Sequence, residues 1–553
     1  MSGRLPAGQA GIDPGFLGRA WQIAAGCLAR LPGPAAPAEE ILGHILGPPP
    51  PAAPPPPPCP YGKAQQQLAV LNERGEGRRA KGVYYTPPDL VDFLLGRAIR
   101  LACGGPWAGG APPLPTADIP PAYLAKTVYD PTCGTGAFLL AALRRKLDRL
   151  ALSGPPSRAQ LVRVVGTLYG NDLDPGSVAI TRLRLFLCVL HRFGPEKAAA
   201  VWPPLRDNFT CRDFVSAPPA GGPRFDLVLG NPPYVEDGKC PSPPPRRYGN
   251  IYANVLENAG ATLAPGGVLG FVIPLSYTAT PRMQAIREVL FRLMPQQAVY
   301  SFSDRPDCLF PSVHQKLCVL FGRAGAGKRQ VFTGNYRYWY KGERPRLFAS
   351  LQAVENPFVT GGFIPKLGNA LDISIYQKAT AAGRPLLELL AGSGPPVYLN
   401  MRATFWVKAF LAPHTGGEYR AFPCQDAPLC MCLLNSSLFW WYWVCVSDCW
   451  HITRKELQGF RVPSSPMALQ PAGPEPARLA AALEERLEAT RVFVGTRQTA
   501  YEYKHRACLP EIAQIDAYIS RLFGLTEEES AYIHHFALPY RAGGGQSNAN
   551  GSH

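Results

Sequence analysis

Phe225-Asp226-Leu227-Val228-Leu229-Gly230-Asn231-Pro232-Pro233-Tyr234 is a short apolar run stopped abruptly by Asn-Pro-Pro-Tyr. The run predicts a buried strand, and the residues just past it stand at the carboxyl edge of a sheet, where open α/β folds place their ligands. Two consecutive prolines fix φ and remove two backbone donors, so the carbonyls of the turn stay free and the Asn231 amide and Tyr234 ring are aimed rigidly. Such a turn suits an exocyclic amine. That nitrogen is a poor nucleophile because its lone pair is delocalised. The Asn231 side-chain oxygen and the Pro232 carbonyl are acceptors for its two hydrogens and would push it toward a tetrahedral, reactive form. Tyr234 would then stack on the flat substrate. The competing reading is an ordinary strand-to-loop turn with a surface tyrosine.

Upstream, Thr127-Val128-Tyr129-Asp130-Pro131-Thr132-Cys133-Gly134-Thr135-Gly136-Ala137-Phe138 predicts a strand, a tight glycine turn and a helix over Phe138–Leu150. Glycines at that junction let a ligand approach the backbone, but Gly134-x-Gly136 lacks the third glycine of the dinucleotide fingerprint, so a nucleoside without a pyrophosphate fits better. A second strand, Val164 to Leu173, ends in Asp172 and Asp174 before a helix over Ser177–Leu190. One carboxylate there can accept from both hydroxyls of a ribose, and Asp172 is the candidate, while Asp174 also suits a cap of the following helix. A third segment ends at Asp213-Phe214, polar enough to accept from an adenine amino group.

The 553 residues suggest three to four domains. A net charge of +16 favours a polyanionic partner, nucleic acid before membrane surface. Fifteen cysteines without paired spacing argue for reduced thiols in a cytoplasmic protein, and the group Cys424, Cys430, Cys432, Cys445 and Cys449 fits no zinc pattern. No apolar run reaches ~18 residues and no signal peptide is indicated, so no membrane partner is expected. Pro14–Leu31 predicts one helix, followed by the proline runs 48–51 and 54–58, a stiff linker. Residues 1–61 therefore read as a mobile or separately docked arm. A helix from Gly62 to about Glu73 follows, then a helix over Asp89–Leu101 with Thr86 as its cap. Gly322 to Lys328 imitates a phosphate-binding loop, but Arg329 supplies no hydroxyl for magnesium, so the stretch reads as a hairpin or linker loop.

Between Arg323 and Arg346, seven Lys or Arg stand against one acid, interleaved with Phe332, Tyr336, Tyr338, Trp339 and Tyr340. Charges for phosphates and rings for bases suit a nucleic-acid surface, with Arg337, Lys341 and Arg344 as its contacts. The alternative is a solvated basic strand pair with a half-buried aromatic face. Phe439-Trp440-Trp441-Tyr442-Trp443 reads as core.

In order, Gly82-x-Tyr84-Tyr85-Thr86-Pro87, Asp130-Pro131-x-Cys133-Gly134-x-Gly136-x-Phe138, Asp172-x-Asp174-Pro175 and Asn231-Pro232-Pro233-Tyr234 resemble the S-adenosylmethionine-dependent DNA adenine-N6 methyltransferases of the gamma motif order, which include type II and combined restriction-modification enzymes. The resemblance continues through the helix, glycine turn and strand of Tyr252–Pro274, and more loosely through Leu434-Asn435-Ser436 and Ile452–Leu457, which look like target-recognition regions. It implies that Tyr85, Thr86 and Asp130 contact the methionine end of the cofactor beside the Thr132, Cys133 and Gly134 backbone. Asp172 would hold the ribose, Asp213 and Phe214 the adenine ring, and Asn231, Pro232, Pro233 and Tyr234 the target base. No metal is required.

The expected fold is α/β, a Rossmann-like methyltransferase mixed sheet with a C-terminal α+β target-recognition domain. Its expected divisions are the arm 1–61, a catalytic domain 62–322, a recognition and helical region 323–541 and a disordered tail 542–553, with double-stranded DNA between the two large parts. The expected function is site-specific adenine methylation with base flipping, in a restriction-modification or other defence or epigenetic system, with a separate nuclease or defence-complex subunit as a further partner. The rivals are a protein glutamine methyltransferase and a non-catalytic DNA-binding subunit; cytosine-N4 methylation uses the same amine chemistry.

Overall fold

The computed structural model describes residues 12–31, 36–50, 57–71, 86–110, 112–216, 221–240, 244–311, 313–381, 383–414, 418–463, 474–495 and 501–543. Part of the proline run, the stretch Arg78–Tyr85 and most of the tail lie outside the described residues.

Ten strands form one mixed sheet: β1 (Gly109–Gly110), β2 (Val128–Asp130), β3 (Leu168–Asp172), β4 (Phe209–Cys211), β5 (Phe225–Gly230), β6 (Leu263–Pro274), β7 (Gln296–Phe302), β8 (Leu317–Arg323), β9 (Gln330–Arg337) and β10 (Gln352–Glu355). Their order is β1-β10-β9-β7-β8-β6-β5-β2-β3-β4. Strands β4, β3, β2, β5 and β6 run parallel, and β8 is antiparallel to both β6 and β7. The apolar runs read as strands are covered on both faces, and the two-residue period sorts them. Leu227, Leu229, Val268 and Val272 enter one core, and Phe225, Val228, Leu269, Phe271 and Ile273 the other.

The first core is covered by α1 (Pro14–Leu28), α2 (Ala36–Leu46), α3 (Tyr61–Ala69), α4 (Pro88–Ala102), α5 (Ala137–Ala151) and α6 (Pro175–Phe193). A Cβ at Gly270 would lie 2.9 Å from Leu94 of α4, so glycine sets how closely this helix lies on the sheet. The Pro87 position, with no side-chain cap, precedes α4; Thr86 is not its cap. The other core joins α7 (Tyr252–Ala261) to the C-terminal region, whose α8 (Ala427–Asn435) and α9 (Ser437–Val446) are buried. That region also holds a three-stranded antiparallel sheet of Pro396–Asn400, Ala409–Phe410 and Tyr419–Pro423. The aromatic run of α9 is core, as expected. Each indole N–H is satisfied, Trp440 by Thr404 O, Trp441 by Asp372 Oδ1 and Trp443 by His451 O. No single helix among the described residues is long and apolar enough to cross a membrane; α8 and α9 together pass on length and composition but bend by 60° and are buried.

Three expectations are corrected. The boundary at 322/323 falls inside the sheet, because β9 pairs with β7 and β10 with β9, and the region beyond shares one core with α7. Of the two readings of the loop after β8, the linker stands and the hairpin does not, since β8 and β9 lie on either side of β7. Among its described residues the arm is docked, one of the two readings given for it, and only its helix count is corrected. It holds two helices rather than one, and α1 to α3 pack against α6, with Gln65 exchanging bonds of 3.0 Å with Arg184 and Tyr61 stacked on His191 at 4.3 Å. Apolar residues at Phe16, Leu17, Trp21, Ile41 and Ile45 form the face that carries this docking.

Trp21 is buried and donates from Nε1 to Gly47 O at 2.9 Å. Trp21→Ala should therefore cost about 3–5 kcal/mol in urea unfolding followed by circular dichroism. An arm folding independently would leave the main transition unmoved.

Candidate active site

Strand order reverses between β2 and β5: the chain passes from β2 through α5 to β3 and β4 on one side and then returns to β5 on the other. The carboxyl ends of β2, β3 and β5 thus open on a common crevice. At the end of β2, Asp130 is buried and accepts from Thr132 N at 3.1 Å. Burial pushes its carboxyl well up from the usual range. The turn that follows is stitched to β3: Cys133 N donates to Asn171 O at 2.8 Å, and Gly134 N to Asp172 Oδ2 at 2.8 Å. Gly134 and Gly136 have φ of 52° and 79°, the left-handed region. The two differ in surroundings. A Cβ at Gly136 would meet Thr181 at 2.8 Å, whereas at Gly134 it would meet nothing within 4 Å, so the backbone there faces open space.

Asp172 also accepts from Asp174 N at 2.9 Å. Burial, with Asp174 nearby, pushes its carboxyl up to about 6 against the opposing pull of these backbone bonds. Asp174 is a helix cap, accepting from Ser177 N at 2.9 Å and Ser177 Oγ at 2.8 Å. Between the two acids Leu173 is 70% exposed, an apolar surface beside the crevice that the sequence signalled only as a leucine flanked by carboxylates. Asn171 was likewise passed over. Its amide donates to Pro131 O and Arg212 O and accepts from Thr210 Oγ1, tying the ends of three strands.

Asn231 stands at the end of β5. Its Nδ2 donates to Thr86 Oγ1 at 3.2 Å, and its Oδ1 accepts from the Tyr234 hydroxyl at 2.6 Å, which also meets Val272 O at 2.9 Å. The amide is therefore oriented from both ends, and Thr86, read from the resemblance as a cofactor contact, holds Asn231. Tyr85 lies outside the described residues. Beyond Tyr234 opens a cleft of about 510 Å³ whose walls include Asn250, Ser276, Arg282, Gln315, Lys316 and Asp448. None of these six was singled out from the sequence, because they come from five separate segments.

Asp213 turns its Oδ1 to Val215 N and Ser216 N, and Phe214 is buried edge-on against Tyr129 at 6.0 Å, so little of that ring is open. The nucleic-acid surface expected at Arg337, Lys341 and Arg344 is not assembled. Arg344 pairs with Asp89 at 2.6 Å and donates to Cys308 O, and Arg337 turns to Ser350 Oγ at 2.7 Å. Phe332, Tyr336, Tyr338 and Trp339 are buried, and only Lys341 of the three cations is exposed. A strand in the interior of a sheet cannot offer its rings to a base.

Sheet order, glycine turn and acid-ended second strand make this a Rossmann-like α/β fold. Residues 166–306 match the family model described as Eco57I restriction-modification methylase, a span that contains the Asp172 and Asn231 motifs. Among curated proteins the chain is similar to the type II methyltransferase M.PaeR7I of Pseudomonas aeruginosa, 28% identical over 225 residues, 39% of this chain and 34% of that protein. It is also similar to the adenine-specific methyltransferase PglX of Streptomyces coelicolor, 28% identical over 151 residues, 20% of this chain and 12% of that protein. The chain thus spans about a third or less of the length of these relatives. Among solved structures, the DrdV–DNA complex is similar at a TM-score of 0.40 and 13% identity, over 62% of this chain and 38% of that one.

The surroundings of the two glycines predict unequal costs. Gly134→Ala should lose only the left-handed backbone term, about 1–2 kcal/mol, while Gly136→Ala adds the clash with Thr181 and should lose about 1–3 kcal/mol more in urea unfolding. Equal losses would contradict the packing described at Gly136.

Proposed function

We propose that the chain carries the catalytic centre of a DNA adenine-N6 methyltransferase of a restriction-modification system, acting on a target base flipped out of duplex DNA. The observation that carries this reading is the Asn231 amide, held by Thr86 and Tyr234 at the mouth of the cleft one strand away from the Asp130 turn. The names of the relatives, one type II and one adenine-specific, favour the same substrate and base.

The crevice fits S-adenosylmethionine, which when bound supplies the methyl group on a sulfonium. Thr132 Oγ1 is buried without a partner among the described residues, the Gly134 backbone is open to close approach, and Asp172 offers a carboxylate for two ribose hydroxyls. Leu173 gives an apolar cover for a flat ring. At the other end, the Asn231 Oδ1 and the Pro232 carbonyl accept from the two hydrogens of the exocyclic amine. Because the amine turns positive only as the methyl arrives, these acceptors strengthen along the reaction and act chiefly in the transition state. The Tyr234 hydroxyl donates to Oδ1, which fixes the direction in which the amide oxygen faces. The base reaches this place only outside the stack, at a cost of a few kcal/mol that stacking and phosphate contacts offset. No covalent intermediate on the protein is needed, since the transfer is a direct displacement.

Asn231→Ala should lower kcat by ~100-fold or more with cofactor affinity nearly unchanged, as for loss of one preorganised polar group. Loss of cofactor binding with full turnover at saturation would make the turn a cofactor wall. Radiolabelled methyl transfer to genomic DNA from a host lacking the modification, with identification of the methylated base, tests the reaction itself.

Asp172 supplies a pH test. Its charged form accepts from the ribose, and its carboxyl titrates at about 6. Affinity for S-adenosylmethionine should therefore be full above that value and fall as pH drops through it, while Asp172→Asn should bind more weakly, by ~1.5–3 kcal/mol at neutral pH, with a flat profile. Calorimetry showing parallel profiles for the two proteins would remove Asp172 from the ribose site.

A further inference from the structure

Next to Tyr234, the cleft wall is made by Lys316, and Lys316 is stacked: its Nζ lies 4.0 Å from the centroid of the Trp450 indole. The Arg402 guanidinium carbon lies 4.4 Å from the same centroid. Lys316, Trp450 and Arg402 thus form a ladder that starts at the cleft and ends on the surface. Its middle rung is fixed by an unusual amount of local structure. Cys449 has φ of 59°, a left-handed conformation unfavourable for a residue with a side chain. The turn keeps it because Cys449 N donates to Ser447 Oγ at 2.9 Å and Asp448 Oδ1 accepts from Trp450 N at 3.0 Å. Ser447 O accepts from the buried Lys366 at 2.7 Å, and His451 O from the Trp443 indole at 3.0 Å.

The two cations differ in how their charge is met. Lys316 is mostly buried and lies 3.5 Å from Asp304, with Asp448 also facing it. Arg402 is exposed, and among the described residues its guanidinium has no acid partner and no side-chain hydrogen bond. A guanidinium held over an indole loses little side-chain freedom on binding, an arrangement suited to a phosphate. A free cation beside the base pocket, on a chain of net charge +16, has a polyanion as its natural complement.

We propose that Arg402, braced by Trp450 and Lys316, holds a backbone phosphate of the target DNA strand beside the flipped nucleotide. The proposal rests on the function proposed above and moves the DNA contact from β9 to the rim of the cleft. It makes the Ser447–His451 turn the place where the C-terminal region meets the catalytic centre.

The test uses the full chain and a fluorescently labelled duplex of random sequence, titrated at a series of salt concentrations. Arg402→Ala should flatten the log-log salt dependence by about 0.9, one phosphate contact, and weaken binding roughly tenfold at low salt. Arg402→Lys should keep most of the slope, and Trp450→Ala, which leaves the charge but removes the brace, should weaken binding with less change in slope. Melting temperature and cofactor affinity of Arg402→Ala should match the wild type, since the side chain is exposed. In methyl transfer, the KM for DNA should rise with kcat largely kept. A wild-type slope in Arg402→Ala overturns the proposal alone. A wild-type chain that binds no duplex even at low salt overturns the function reading with it.

Discussion

At the centre of the crevice the end of β5 lies tightly against β2. A Cβ on Gly230 would lie 3.2 Å from Asp130 Oδ1 and 2.9 Å from the Phe271 ring, so only glycine lets the end of β5 settle there. That contact puts Asn231, the next residue, beside the turn that starts at Asp130. Everything proposed for this centre depends on it, because an amine held at Asn231 and a methyl donor held at Gly134 must meet within bonding reach. Thr86 and Tyr234 then settle which way the amide faces, which the strand end alone leaves open.

The second dependence runs between the sheet and the C-terminal region. They share one apolar core, so the C-terminal region is a continuation of the face of the sheet that holds α7. At its seam, two lysines cap the carbonyl end of α9: Lys366 donates to Cys445 O and Ser447 O, and Lys455 to Val446 O and to Ala279 O of the catalytic part. Cations at a helix carboxyl end are favoured by its dipole, and several carbonyls compensate the desolvation of each ammonium. The turn after α9 is thereby held at a fixed distance from Tyr234, which is what a cleft with walls from both parts requires.

The strands and helices nearest the centre were legible because their signals are local. The run ending at Gly230 is continuous and apolar, the glycines of the β2–α5 turn sit where left-handed φ is needed, and Asp174 precedes a proline that opens a helix. The arm's docking was not legible in its proline runs, which suggest a spacer, because the face it docks on is α6, far along the chain. The basic stretch around Arg337 misled for a related reason. Composition shows that Arg, Lys and aromatic residues are near each other, but the pairing of Arg344 with Asp89 and the burial of the rings are decided by distant segments.

The sequence by itself determined the fold class, the order of the motifs and the residues at the ends of β2, β3 and β5, since each rests on periodicity and turn chemistry within a few residues. Only the tertiary structure decided that Thr86 holds Asn231, that β9 and β10 extend the catalytic sheet, and that Lys316, Trp450 and Arg402 stand together at the cleft. The physical reason is range. Hydrogen bonds within turns and strand patterns act over a few residues, whereas a cleft between two parts of a shared core is set by packing between segments more than a hundred residues apart.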